Sequence, residues 1–192
     1  MTFAGTSSRV SQRVAVSEAA VNNLNLTATD VRKALLKGIT YKQLAEMTGE
    51  PERGVYFEVD AEVAAILRTI PGYESFDHRL HVLCNLNPGI GTKDAPRCFS
   101  IKLALATNDR FGAKATSHDP QLIVRHDKLG KLDFIAMQHV EDIKSASSEK
   151  VLLEFIKALE GMFGVGELDS RRTDFTCVGV THTRTDLGYR MD

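Results

Sequence analysis

The stretch "FIAMQHVEDIKSAS", Phe134 to Ser147, sets an apolar run directly against two acids. Phe134, Ile135, Ala136, Met137 and Val140 suit a sheet, whereas Glu141 and Asp142 are charged at neutral pH. Burying two adjacent carboxylates is costly, so solvent at a turn, a basic partner or a metal ion has to compensate them. Neighbours within a flat strand face opposite sides, but a pair at a hairpin tip reaches a common point. A third acid from another strand end would complete a set able to hold two magnesium ions. Such ions clamp the attacking and leaving oxygens of a phosphoryl transfer. Asp30, closing the strand-like "LNLTATD", is the candidate. On the residues alone two plainer readings stay open: Asp30 as a helix N-cap, and Glu141-Asp142 as a solvated turn.

The bulk numbers bound the answer. The chain has 192 residues, 43% hydrophobic and 26% charged, which suits one domain, or one with a small appendage. Lys plus Arg number 24 against 25 Asp plus Glu, so no overall basic bias announces a polyanion, though a local basic groove is compatible. Cys84, Cys98 and Cys177 lack any CxxC spacing. That argues against a disulfide framework or zinc site and fits a reducing, intracellular setting, cytoplasm or nucleus. No segment approaches the roughly 20 apolar residues that span a bilayer, and "MTFAGTSSRVSQRV" is too polar for a secretory signal. The six histidines show no metal spacing on one helix; His78-x-x-His81 reads as a surface pair.

Periodicity predicts helices over 10–25, 94–111 and 148–163, and a sheet that includes 26–30, 80–86, 121–126, 132–140 and 173–181. Shorter helices fit "VRKALLKGITYKQLAEMTGE", broken at Gly38 and stopped by Gly49 and Pro51. The clearest helix is "SSEKVLLEFIKALEGMFG", capped by Ser147 or Ser148, with Val151, Leu152, Phe155, Leu159 and Phe163 on one face. The order implies an α+β fold with helices packed on one face of an antiparallel sheet.

The whole pattern resembles the reverse transcriptase of copia-type retrotransposons. "FAGTSSRVSQRVAV" resembles the family's "FAPVxSRxSxRxxL", and "TDVRKALLKG" resembles "LDVKTAFLNG", which bears the first catalytic aspartate. "LNPGIGTKDAPRCFSIKL" resembles "LxxxLYGLKQAPRAWYxxL", and "HDPQLIV" resembles "SDPxLFV". "HVEDIKSAS" stands where "YVDDILIAG" carries two further aspartates. "LLEFIKALEGMFGVGEL" resembles "IxxFKxxLxxxFxMKDLG", and "DFTCVGV" stands where the family has "YFLGI", the primer-grip region. The blocks run in order over nearly all 192 residues.

The resemblance implies one reverse transcriptase domain over 1–192, with a polymerase palm-like sheet and truncated fingers. Asp30, Glu141 and Asp142 would be the catalytic, metal-holding acids, binding two Mg2+ (or Mn2+) ions. Lys93, Asp94, Pro96 and Arg97 would shape the base-pair pocket, and Gly179 would lie under the primer. The implied partners are a template-primer and a deoxynucleoside triphosphate, with the rest of a retrotransposon polyprotein beyond them, and no membrane.

Departures from the family pattern lower the expected activity. Glu141 replaces an aspartate. Its extra methylene moves the carboxylate outward by about 1.3 Å, and a misplacement near 1 Å can cost about 100-fold. Magnesium absorbs little distortion. Leu35 stands where the family has the Phe that blocks a ribose 2′-hydroxyl, which predicts weaker discrimination against ribonucleotides. His139 replaces a Tyr, without expected damage. The family's finger strands would precede Phe3 and its RNase H would follow Asp192, so the chain reads as a palm-centred fragment, weakly active or inactive. Two alternatives remain: a catalytically dead relic that binds nucleic acid or protein, and a helix-turn-helix in "ITYKQLAEMTGEPERGVYFE". Pro51 and the strand-like "GVYFEV" oppose the latter. Arg171-Arg172 reads as a phosphate contact or a solvated loop.

Overall fold

The apolar run at 134–138 is buried at every position, and a strand buried on both sides needs cover on both faces. In the computed structural model, which describes residues 5–172, 174–186 and 188–192, that demand organises the fold. The elements are α1 (Arg9–Val21), β1 (Asn25–Val31), α2 (Tyr41–Thr48), β2 (Tyr56–Phe57), α3 (Ala61–Leu67), β3 (Leu83–Cys84) and α4 (Ala95–Ala104). They continue with β4 (Lys114–Ala115), β5 (Leu122–His126), β6 (Leu132–His139), β7 (Asp142–Ser147), α5 (Glu149–Phe163), β8 (Leu168–Arg171), β9 (Phe175–Cys177), β10 (Val180–Thr185) and β11 (Gly188–Met191). The architecture is mixed α+β with antiparallel sheets.

The main sheet has the order β4-β5-β6-β7-β1-β8, each neighbour antiparallel. Strand parity sorts its two faces. Val31, Phe134, Ala136 and Ile143 point to one side and pack with Phe99 and Leu103 of α4 and Leu152, Phe155 and Leu159 of α5. Phe134 lies 4.7 Å from Phe111 and 4.8 Å from Phe155, an aromatic cluster at the centre of this core. Leu26, Ile135 and Ala146 point to the other side, against Ala15, Val16 and Ala19 of α1 and Phe175 and Cys177 of β9. β9 belongs to a second sheet of order β11-β10-β9.

Helices therefore cover both faces, not one as expected. The small side chains of Ala15 and Ala19, both fully buried, let α1 lie close against the sheet. The expected strand at 80–86 shrinks to Leu83–Cys84, paired with β2 outside the main sheet. Leu80 stays exposed, because an apolar run without a partner strand gains nothing from being extended. The expected strand at 173–181 is a hairpin, β9 to β10, that joins the second sheet; Thr173 lies outside the described residues, as do Phe3 and Ala4. β4, β7 and β8 complete the main sheet beyond the expected strands. α1 ends at Val21, and Asn23 with φ 51° turns the chain into β1.

Local chemistry explains the helix ends. Ser8 and Ser148 accept from the backbone N–H three residues on; Thr40 with Gln43 forms a capping box at the start of α2, and Gly49 at φ 71° caps its end. Between Gly49 and β2 the chain has no regular structure, and the next helix, α3, starts only at Ala61, so no second helix follows α2 at helix-turn-helix spacing. Among the described residues no helix is long and apolar enough to cross a membrane.

Candidate functional site

β1 runs between β7 and β8, and Asp30 is the register partner of Asp142 on one side and of Asp169 on the other. Directly opposed residues lie about 4.5–5.5 Å apart at Cα and project to the same face, so three carboxylates share one rung. Glu141 precedes Asp142 in the two-residue Val140-Glu141 turn that joins β6 to β7. Val140 has φ 55°, a strained conformation for a β-branched residue. Such strain persists only where the surroundings enforce it, and it clusters at functional turns.

The electrostatics follow from this packing. Burial raises the Asp30 carboxyl above its ordinary range, and the negative charges of Asp142, Glu141 and Asp169 push it further; Arg171 opposes. Arg171 itself reaches Asp169 at 2.9 Å. Asp30 is followed in strand by Val31 and starts no helix, which removes the N-cap reading. The donors are hard oxygens of the kind magnesium takes, and a cation would relieve the repulsion on Asp30. Among the described residues, however, the side chains do not converge into a set of three or more metal donors. The backbone thus brings Asp30, Asp142 and Glu141 to one place without forming a finished cage.

The residues expected to shape a base-pair pocket form a separate group around the start of α4. Lys93 is exposed, and Pro96 lies in the first turn. Asp94 is buried and ion-paired with Arg53. Arg97 donates to both carboxylate oxygens of Glu50, at 2.8 and 2.9 Å, and this pairing holds the Glu50 carboxyl below its usual range. Leu35, half-buried in the 3-10 turn Ala34–Leu36, sits beside them because Gly38 lies against Cys98 and Ile39 donates to the Cys98 carbonyl. No hydrogen bond or ion pair among the described residues links this group to the acidic rung.

Gly179, exposed, follows the half-buried Val178 in the turn of the β9–β10 hairpin, with φ of 74° and 53° respectively. It borders a cleft of about 550 Å3 whose other walls include His139 at the end of β6 and Arg9, Gln12 and Arg13 of α1. The structure therefore sets Gly179 beside the β6–β7 hairpin that carries Glu141 and Asp142.

Two features escaped sequence reasoning. Asp169, in "GELDSRR", belongs to none of the quoted motifs; only its pairing with Asp30 reveals it. Lys144, in β7, is fully buried, with its Nζ 3.0 Å from His182 Nε2. The His182 Nδ1 lies 3.0 Å from the Val180 carbonyl and so donates, which leaves Nε2 to accept from the ammonium. Burial pushes the Lys144 amine down to about 8, slightly opposed by Cys177. Burial, then the Lys144 charge, lowers His182 to about 4 against the pull of its backbone partners. Phe175 stacks on the imidazole at 5.1 Å.

No protein-family model, curated protein or solved structure significantly matches this chain.

Proposed function

We propose that this chain is a diverged reverse-transcriptase-type palm, whose ancestral reaction is template-directed addition of deoxynucleotides to a primer. The observation that carries the reading is the in-register opposition of Asp30 and Asp142, residues 112 positions apart, with Glu141 at the adjoining strained turn. Magnesium or manganese, when bound, would neutralise the triphosphate and activate the primer hydroxyl. Asp30 and Asp142 would hold such ions, with Glu141 as the third donor. Burial, and then their mutual repulsion, raises the Asp30 carboxyl, and a bound cation would relieve the repulsion. The base-pair group at the start of α4 would position template and nucleotide, and the Gly179 turn would seat the primer terminus.

In this copy the chemistry is weak or lost. Glu141 carries its carboxylate too far out, and Asp94 and Arg97 are held in internal ion pairs. The test is primer extension by this chain joined to a finger segment, with magnesium. Trace extension that rises with Glu141→Asp and vanishes with Asp142→Asn is the expected result. Extension at a rate typical of polymerases by the unmodified chain, or no gain from Glu141→Asp, would refute it. A second reading, a nucleic-acid-binding relic without chemistry, is favoured by the unfinished donor set. It requires salt-sensitive primer-template binding that Glu141→Ala leaves unchanged, with no extension from any variant.

A further inference from the structure

We propose that this chain associates with a second copy of itself, the outer face of α1 in one copy docking on α3 of the other.

Both helices carry apolar side chains that nothing in the fold covers. α1 is apolar on two sides: Ala15, Val16 and Ala19 face the sheet, while Val10, Val14 and Val21 are exposed, Val21 at 79%. At 100° per residue those three valines fall in one stripe about 40° wide, turned away from the buried row. A helix that is apolar all round belongs in an interior. α3 shows the same feature more strongly. Ala64 is its one buried residue, and Val63, Ile66 and Ile70 stand exposed at i, i+3 and i+7, with Ile66 at 61%. Asp60 caps α3 by accepting from the Val63 N–H at 2.8 Å, but seven residues are too few for a helix to hold without tertiary packing. By contrast, exposed apolar residues such as Leu129 and Val165 stand singly at turns, where they call for no partner.

Charge identifies the occupant. Arg9 and Arg13 flank the α1 stripe, and the first turn of α1 holds no acid. Glu58 and Glu62, just before and within the first turn of α3, flank the other stripe. All four side chains are exposed, and none makes an ion pair or side-chain hydrogen bond among the described residues. A basic apolar stripe complements an acidic apolar one, and each repels its own kind, so unlike faces meet. Within one copy both stripes stay exposed, so they do not satisfy each other. The complementary halves nevertheless sit on the same chain, and a net charge of −1 lets copies approach without long-range repulsion. Three apolar side chains from each copy, rimmed by two charge pairs, make a small interface with a Kd on the order of 100 µM.

The experiment is sedimentation equilibrium of the full chain from about 10 to about 500 µM at low salt. The weight-average mass should climb from 21.2 kDa towards at least twice that value. Raising salt from about 50 to about 500 mM should weaken association about fivefold, since the charge pairs are exposed. Ile66→Ser, at an exposed position, should weaken it about tenfold with the salt dependence retained. Arg9→Glu/Arg13→Glu leaves both stripes acidic and Glu58→Lys/Glu62→Lys leaves both basic, so each variant alone should stay monomeric. An equimolar mixture of the two should associate again, because each basic face then finds an acidic one. A constant mass of 21.2 kDa for the unmodified chain would overturn the proposal and leave the two faces to some other partner. Association of either charge-reversed variant by itself would also overturn it, as would a mixture that stays monomeric.

Discussion

Lys144→Leu should change how stability depends on pH. Lys144 is fully buried in a central strand; among the described residues its one side-chain hydrogen-bond partner is a neutral imidazole and no carboxylate pairs with it. Its folded pKa of about 8 lies below the ordinary 10.5, so at pH 7 the buried ammonium costs on the order of 3 kcal/mol, at about 1.4 kcal/mol per unit. Leu retains most of the apolar stem and removes that cost, but it strips His182 Nε2 of its donor, a loss of about 1–3 kcal/mol. A net gain of about 1 kcal/mol at pH 7 is expected. The pH dependence is sharper. Between pH 8 and 10.5 the unfolded chain binds the Lys144 proton and the folded chain does not, so the unmodified protein should gain about 3 kcal/mol as pH rises through this window. The Leu variant should lack that rise. Urea unfolding of both proteins from pH 7 to 10.5 reads the difference directly, with all other titrating groups shared. Parallel curves would refute the reasoning. His182 acts at the other end: its folded value of about 4 lies below 6.5, so its contribution is lost as pH falls from 6.5 towards 4.

Three further outcomes are expected. Asp30→Asn relieves a like-charge rung and should raise stability in chelator by up to about 1 kcal/mol. That gain should fade below pH 3.8, where the native carboxyl is neutral in both states, and any magnesium-dependent rise in Tm should disappear. Val140→Gly removes a β-branched side chain from φ 55°; the relief of about 1–2 kcal/mol, less the added glycine entropy, should leave a gain near 1 kcal/mol in urea unfolding. Gly38→Ala places a Cβ 2.8 Å from the Cys98 Cβ and 2.9 Å from backbone atoms of Cys98 and Phe99, so it should cost about 1–3 kcal/mol in the same assay.

What the sequence revealed depended on whether a signal was local. α5 was legible because Ser148 caps it and its five apolar positions recur at helical spacing. The β5–β6 hairpin was legible because Gly130, at φ 78°, sits between two apolar runs. β7 was not, since "DIKSAS" is polar by composition yet buried through most of its length; strand neighbours, not propensity, decide such a case. "RLHVLCNL" failed in the opposite direction, being apolar but lacking a long partner. The acidic rung was half legible. Asp30 and Asp142 were singled out by their places at the ends of apolar strands and then by the family resemblance, but Asp169 has no sequence mark, because pairing across β1 and β8 is a property of the sheet.

The single rung that holds Asp30, Asp142 and Asp169 also constrains how the chain can drift. Sliding β1 by one residue would swing its acid into the aromatic core and expel Val31 from that core. Realignment is therefore closed to mutation at these positions, and only exchange of the side chain itself remains. Glu141 lies in the turn, outside any ladder, where a longer acid could be accepted without disturbing either face. A substitution at that tip would therefore leave the alignment of the strands behind it intact.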